Sequence, residues 1–249
     1  WYLRMEEVRR EQEAVKRDVE YSQQRLRLRL LERQEQLMRL ARDIANREVD
    51  PRQFEIRAES LVAQYGELMA LSWIDDRRRV VAVQASPSVK AARDWMEDGI
   101  LKPGEVESGY GLARDLLQPV YSQPVGVGKA EPILQLHLPI TPRGKFAGEL
   151  VAEYSVDALL RYGVPAEILA KYAVALLDSK GQTLAGQSIP DRPGLSEFLP
   201  WSGKVNEFEI PVSPVGNGLV LRAQAWRTSQ GLVGGALFWL VVTLAAMTA

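Results

Sequence analysis

Leu68-Met69-Ala70-Leu71-Ser72-Trp73-Ile74-Asp75-Asp76-Arg77-Arg78-Arg79-Val80-Val81-Ala82-Val83 is the stretch that decides the fold. An apolar run ends at Asp75, a short polar turn follows, and a valine-rich run returns. That order predicts an antiparallel hairpin. The same grammar recurs downstream, where Tyr172-Ala173-Val174-Ala175-Leu176-Leu177 runs into Asp178-Ser179-Lys180-Gly181 and returns through Gln182-Thr183-Leu184-Ala185. Two hairpins of one design point to two small antiparallel sheets in one chain.

Before the first hairpin there is neither Gly nor Pro from Leu3 to Arg47, and Glu, Gln, Arg and Leu dominate. Such composition predicts one long helix over 3–47. Val8, Val19, Leu30 and Ala41 recur at steps of eleven, with Val15, Leu26 and Leu37 as a second row. An eleven-residue step is ~3.67 residues per turn, so the apolar stripe runs almost straight along the helix. Its early part is thin and leaves room for helix–helix dimerisation. Its later part, with Leu26, Leu30, Leu31, Leu37, Leu40 and Ile44, is broad enough to pack on a domain. Asp50 before Pro51 reads as an N-cap followed by a first-turn proline, and predicts a second helix over 51–65.

Between and after the hairpins the chain reads as short helices over 88–97 and 111–117, strands over 120–127, 133–140 and 146–154, and a connecting helix over 155–161. Val164-Pro165-Ala166 starts another helix, and strands over 207–212 and 219–226 complete the second sheet. The expected organisation is a stalk helix (1–47), a larger sheet domain (48–163), a smaller one (164–230) and an apolar segment (231–249).

That last segment carries no charge from Leu232 to Ala249. As a helix, its roughly 18 residues would span ~27 Å, close to the hydrocarbon thickness of a bilayer. The expected fold class is therefore α+β: a long N-terminal helix, two antiparallel-sheet domains and a C-terminal transmembrane helix. Trp1-Tyr2-Leu3 has the aromatic character of a membrane interface, as if a first span preceded it.

The totals narrow the chemistry. The 249 residues carry a net charge of -1, which lacks the basic excess of a nucleic-acid binder. There is no cysteine, which removes disulfides, thiolate metal sites and cysteine nucleophiles, and there is a single histidine, His137. No phosphate loop, nucleophile elbow or zinc signature occurs, and no carboxylate pair is spaced as an acid–base couple. Neither catalysis, nor a cofactor, nor a metal is expected in this stretch.

The order of these elements resembles the double Cache (PAS-like) periplasmic sensor regions of bacterial membrane-bound histidine kinases. The similarity is carried by Leu71-Ser72-Trp73-Ile74-Asp75-Asp76, Gln118-Pro119-Val120-Tyr121-Ser122-Gln123-Pro124, Phe146-Ala147-Gly148-Glu149-Leu150-Val151 and Ala175-Leu176-Leu177-Asp178-Ser179-Lys180-Gly181. The resemblance implies two PAS-like sheets, a small ligand such as a carboxylate or amino acid on the membrane-distal one, a homodimer, a periplasmic position for residues 1–230, and a lipid bilayer as partner. The family's ligand-binding series of Tyr, Arg, Trp and Asp is not matched. A membrane tether with an oligomerising helix, whose sheets bind an envelope protein, is the alternative.

Polar side chains on apolar strands are the natural ligand contacts, because burying them unpaired costs about 1–3 kcal/mol each. Alternation along 133–140 puts Gln135 and His137 on one face and Leu134, Leu136 and Leu138 on the other. Tyr121 and Gln123 alternate similarly in the preceding strand. Tyr110 lies in the covering loop, and Arg114 can pair with a ligand carboxylate or with Asp115.

Overall fold

The structure is a computed structural model that describes residues 2–86, 96–97, 100–101, 105–124, 131–189, 206–216 and 218–225. The apolar run 232–249, Trp1 and residues 88–95 of the expected helix lie outside that set.

Helix α1 (Tyr2–Ala45) is the spine. Val15, Val19, Leu26, Leu30, Leu37, Ala41 and Ile44 are at most 6% exposed, so the straight stripe is buried along most of the helix. After Arg47 turns to positive φ, α2 (Pro51–Gln64) begins with a reciprocal capping box: the Asp50 carboxylate accepts from the Gln53 amide, and the Gln53 side chain accepts from the Asp50 amide. Its Phe54 is fully buried edge-on against Trp73.

The first sheet contains β1 (Leu68–Asp75) and β2 (Val80–Ala85). A two-residue pair, β3 (Met96–Glu97) and β4 (Ile100–Leu101), and helix α3 (Glu105–Leu116) intervene. Then β5 (Val120–Tyr121), β6 (Ile133–Pro139) and β7 (Gly148–Ser155) complete it in the order β2-β1-β7-β6-β5. Helices α4 (Val156–Gly163) and α5 (Ala166–Lys171) lead into the second sheet. It comprises β8 (Tyr172–Leu177), β9 (Thr183–Gly186), β10 (Glu207–Pro211) and β11 (Val220–Ala225), in the order β10-β11-β8-β9. In both sheets the first strand lies between its hairpin partner and the last strand to form, so the two share one winding.

The hairpin turns explain the recurring aspartate. Asp75 Oδ1 accepts from the amides of Arg77 and Arg79, and Asp178 Oδ1 accepts from those of Lys180 and Gln182. In each turn the third residue after the aspartate has positive φ: Arg78 in the first and Gly181 in the second. A carboxylate that replaces two missing backbone partners is what an Asx turn requires.

Three features differ from the expectation. Strand β5 stops after two residues, since Pro119 and Pro124 offer no amide to extend the ladder. Helix α3 begins earlier than the expected 111–117. The early apolar stripe is not free for dimerisation: Val15, Val19 and Ser22 are buried in their own chain, where α1 packs on β10 and β11. Asp18 there accepts from Lys171 Nζ at 2.8 Å and the Tyr172 hydroxyl at 2.9 Å. Among the described residues no helix is long and apolar enough to cross a membrane.

Midway along α1 a clamp ties the helix to the turn that starts the first sheet. Arg29 donates through Nε and a terminal nitrogen to the two oxygens of Glu67, at 2.8 and 2.9 Å, and Arg33 Nε approaches at 3.4 Å. The Glu67 side chain is fully buried in the turn between α2 and β1. Arg33 stacks on Tyr65 at 3.4 Å, and Leu26 reaches α4 where Gly163 leaves no Cβ in its way. Bidentate geometry to a planar guanidinium gives this buried pair direction as well as charge.

Burial opposes ionisation of Glu67, but the hydrogen bonds and charges of Arg29 and Arg33 outweigh it and hold its carboxyl below the ordinary range. The unfolded chain therefore takes up a proton first as pH falls. The stabilisation is present above about pH 4.3 and is lost as pH drops through the lower folded value. Glu67→Gln is expected to cost about 3–5 kcal/mol at pH 7, because it leaves the Arg29 guanidinium without its carboxylate. In urea unfolding, the gap between wild type and Glu67→Gln closes below about pH 4; a gap independent of pH would contradict the clamp.

Candidate functional site

The first sheet has two unlike faces, and its register says which residues share each. Ala70, Glu153 and Gln135 form one row across β1, β7 and β6; Ser72, Val151 and His137 form the next; Ile74, Glu149 and Pro139 form the third. These rows make the polar face. Leu71, Trp73, Leu134, Leu136, Leu138, Leu150, Ala152 and Tyr154 point the other way, into the large core beneath α1 and α2. Neighbouring strands are about 4.8 Å apart, so Ser72 and His137 stand roughly 10 Å from each other across Val151.

Every side chain on these rows from β6 and β7 is buried except Pro139, which is partly so. Gln135 Nε2 donates to Glu153 Oε1 at 2.8 Å, between direct cross-strand neighbours. His137 Nδ1 lies 3.0 Å from Glu149 Oε1 on the diagonal. Among the described residues, four buried atoms on this face have no hydrogen-bond partner: Ser72 Oγ, Gln135 Oε1, His137 Nε2 and Glu149 Oε2. Buried polar atoms are nearly always paired, so four unpaired ones on one sheet face make this face the candidate site.

Helix α3 covers the face. Tyr110 packs on Ile74 and Val151, meets Phe146 edge-on at 5.4 Å, and its hydroxyl donates to the Asp75 carbonyl at 3.0 Å. Gly109 sits directly on the His137 ring, and any Cβ at that position would overlap the imidazole around Nε2. A glycine here lets the helix approach a histidine that a larger residue would push away.

The charges are tuned by the same burial. Desolvation raises the carboxyl of Glu149, and the nearby His137 offsets part of the rise. Burial, with the charge of Glu149 added, pushes the Tyr110 phenol up to about 12. None of the residues in the three rows is Lys or Arg. Among the described residues no cluster of His, Asp and Glu could hold a metal ion.

Of the residues expected from sequence, the fold brings Gln135, His137 and Tyr110 together. Tyr121 is a correction: it pairs with Leu136, so its ring enters the core beneath α1 instead of the polar face. Val120 pairs with His137 and takes the polar face in its place, the opposite of the alternation assumed for the strand. Gln123 is exposed beyond the end of β5. Arg114 is exposed on α3 with its Nε 2.9 Å from Asp115, the second of the two pairings expected for it. Glu149, Glu153, Ser72 and Gly109 were not expected. The first two were detectable, because Glu149 and Glu153 alternate with Val151 in β7 as Gln135 and His137 do in β6.

No protein-family model matches the chain. No curated protein matches it either. Solved structures do match. The ligand-binding domain of the amino acid chemoreceptor PctC of Pseudomonas aeruginosa, in complex with GABA, superposes with a TM-score of 0.54 at 17% identity, covering 83% of this chain and 95% of that one. The ligand-binding domain of the Campylobacter jejuni chemoreceptor Tlp3, in complex with L-norvaline, gives 0.56 at 13% identity, over 88% and 91%. That of the Pseudomonas fluorescens chemoreceptor CtaA, in complex with L-serine, gives 0.53 at 16%, over 83% and 92%. At these identities the likeness is one of fold: a long helix and two antiparallel sheets, as in the ligand-binding domains of chemoreceptors.

The contact between Gly109 and His137 is testable by a cycle. Gly109→Val is expected to destabilise the protein by about 1–3 kcal/mol through overpacking. His137→Ala in the same chain is expected to recover part of that loss, giving an interaction energy of at least about 0.5 kcal/mol in denaturant melts. Strict additivity would place the two residues apart.

Proposed function

We propose that this chain is the extracytoplasmic sensing region of a bacterial membrane receptor, and that it takes a small amino-bearing ligand on the polar face of the first sheet. The observation that carries this reading is the set of four buried, unpartnered polar atoms beneath α3. With Glu149 ionised, His137 Nδ1–H donates to it, and Glu149 Oε2, Gln135 Oε1 and Ser72 Oγ are left as acceptors. A face with acceptors, two carboxylates and no Lys or Arg in its rows suits a primary ammonium better than a bare carboxylate. The fold agrees, since chemoreceptor domains of this architecture have been solved with GABA, L-serine and L-norvaline. Entry lies between α3 and the sheet, where the small Gly109 and Gly111 make α3 the element easiest to displace.

The apolar run 232–249 supplies the membrane span in this reading, and α1, which touches both sheets, links ligand occupancy to it. The output is a histidine kinase, as the sequence resemblance implies, or a chemoreceptor signalling module, as in the solved structures of this fold. A thermal-shift panel of primary amines, amino acids and size-matched carboxylates tests the ligand class. Amines and amino acids are expected to stabilise the chain while carboxylates without an amine do not; stabilisation by carboxylates alone, or by none of the panel, would contradict it.

Two variants give the assay its controls. Tyr121→Phe faces the opposite core and is expected to leave the response unchanged, whereas Glu149→Gln is expected to abolish it. Without ligand, Glu149→Gln has the opposite effect on stability. The folded carboxyl holds its proton to higher pH than the unfolded one. Wild type therefore loses stability relative to the variant as pH rises from about 4.3. A variant that binds normally, or a difference that does not change with pH, removes Glu149 from the site.

A further inference from the structure

Among the described residues four non-glycine positions have positive φ, and three of them are arginines: Arg47 at 63°, Arg78 at 64° and Arg143 at 52°. Left-handed backbone costs stability for a residue with a Cβ, and glycine or asparagine is the usual occupant. The three arginines lie in different connections: α1 to α2, β1 to β2, and β6 to β7. The fold brings all three to one end. Phe54, near the start of α2, packs on Trp73 near the end of β1. Asp75 pairs with Gly148, which sets the β1–β2 turn beside the β6–β7 connection. It is the end at which α1 stops, away from the second sheet, whose Tyr172 bonds Asp18 far back along the helix.

The charge of this end departs from that of the chain. Residues 42–52, 75–79 and 141–147 carry eight Arg or Lys against five Asp or Glu, in a chain of net charge -1. Two of the five acids are already held, Asp75 by Arg79 and Asp43 by Arg57. Arg47, Arg52, Arg77, Arg143 and Lys145 are exposed and form no ion pair among the described residues. No large hydrophobic side chain is exposed in these three stretches. A folded protein partner would need some, because interface affinity is concentrated in apolar and aromatic anchors. Exposed cations alone suit a linear polyanion, which is neutralised group by group with release of its counterions. Guanidinium forks match phosphate and carboxylate oxygens alike.

We propose that this end of the molecule docks a linear polyanion through Arg47, Arg77, Arg143 and Lys145. Glycine at Arg47 or Arg143 would relieve the backbone and remove the charge, so the two demands oppose each other at the same positions. The surface is independent of the ligand reading, since it shares no residue with the polar face of the first sheet.

The probes are fluorescent long-chain polyphosphate and polygalacturonate, one for each anionic group. The purified chain is expected to bind at least one of them at low ionic strength, with affinity falling about tenfold or more between roughly 50 and 200 mM salt. Arg77→Glu and Arg143→Glu are each expected to weaken binding about fivefold, and the double variant to abolish it. Arg25→Glu with Arg27→Glu, exposed on α1 away from this end, leaves it unchanged. Arg47→Gly and Arg143→Gly give a second readout: both weaken binding without lowering the melting temperature, whereas arginines that served only the fold would lower it on removal. A chain that binds neither polymer, as a folded protein partner would require, overturns the proposal. So does binding that survives Arg77→Glu with Arg143→Glu, or an equal loss in Arg25→Glu with Arg27→Glu.

Discussion

One helix face has to serve two sheets at once, and the rest of the molecule follows from that constraint. The buried residues of α1 from Val15 to Ile44 lie on a line that barely winds, so sheets placed one above the other meet the same face. A heptad stripe would have drifted around the helix and left the second sheet against charged residues. The bidentate contact of Arg29 with Glu67 fixes α1 against the turn that starts β1, and Leu26 beside Gly163 fixes how closely α4 approaches.

The first sheet divides its labour by face. The side toward α1 is apolar and contributes most of the core. The other is polar, is lidded by a short helix, and leaves acceptor atoms unpaired at a cost in stability. Strain of that kind is common where a protein keeps a place for a ligand. The second sheet is different in kind. Its buried Gln224 accepts from the Ile189 amide and donates to Glu207, so that side chain ties β11 to its neighbours.

Much of the fold was legible in the sequence because its signals are local. The absence of Gly and Pro over the first third, the Asp50-Pro51 start of α2 and the two Asp turns each depend on a few neighbouring residues. The strand of Tyr172–Leu177 was legible for the same reason. What escaped was decided at longer range. The face that Tyr121 occupies is set by pairing with Leu136, and alternation counted within its own segment cannot supply it. Helix α3 contains two glycines and is weak on propensity, so its length reflects packing on β6. His137 and Gln135 were visible as polar interruptions of an apolar strand. Their partners Glu149 and Glu153 required knowing that β7 lies beside β6.

The single histidine makes the central claim directly measurable. His137 is bonded to Glu149 and covered by Gly109, so a ligand entering beneath α3 must change its environment. Nitrogen NMR of imidazole-labelled protein shows one residue only. On adding any amine that stabilises the chain, the Nε2 and Nδ1 resonances of His137 are expected to shift and saturate with the same midpoint as the stabilisation. A stabilising ligand that leaves both resonances unmoved would place binding elsewhere and contradict the account.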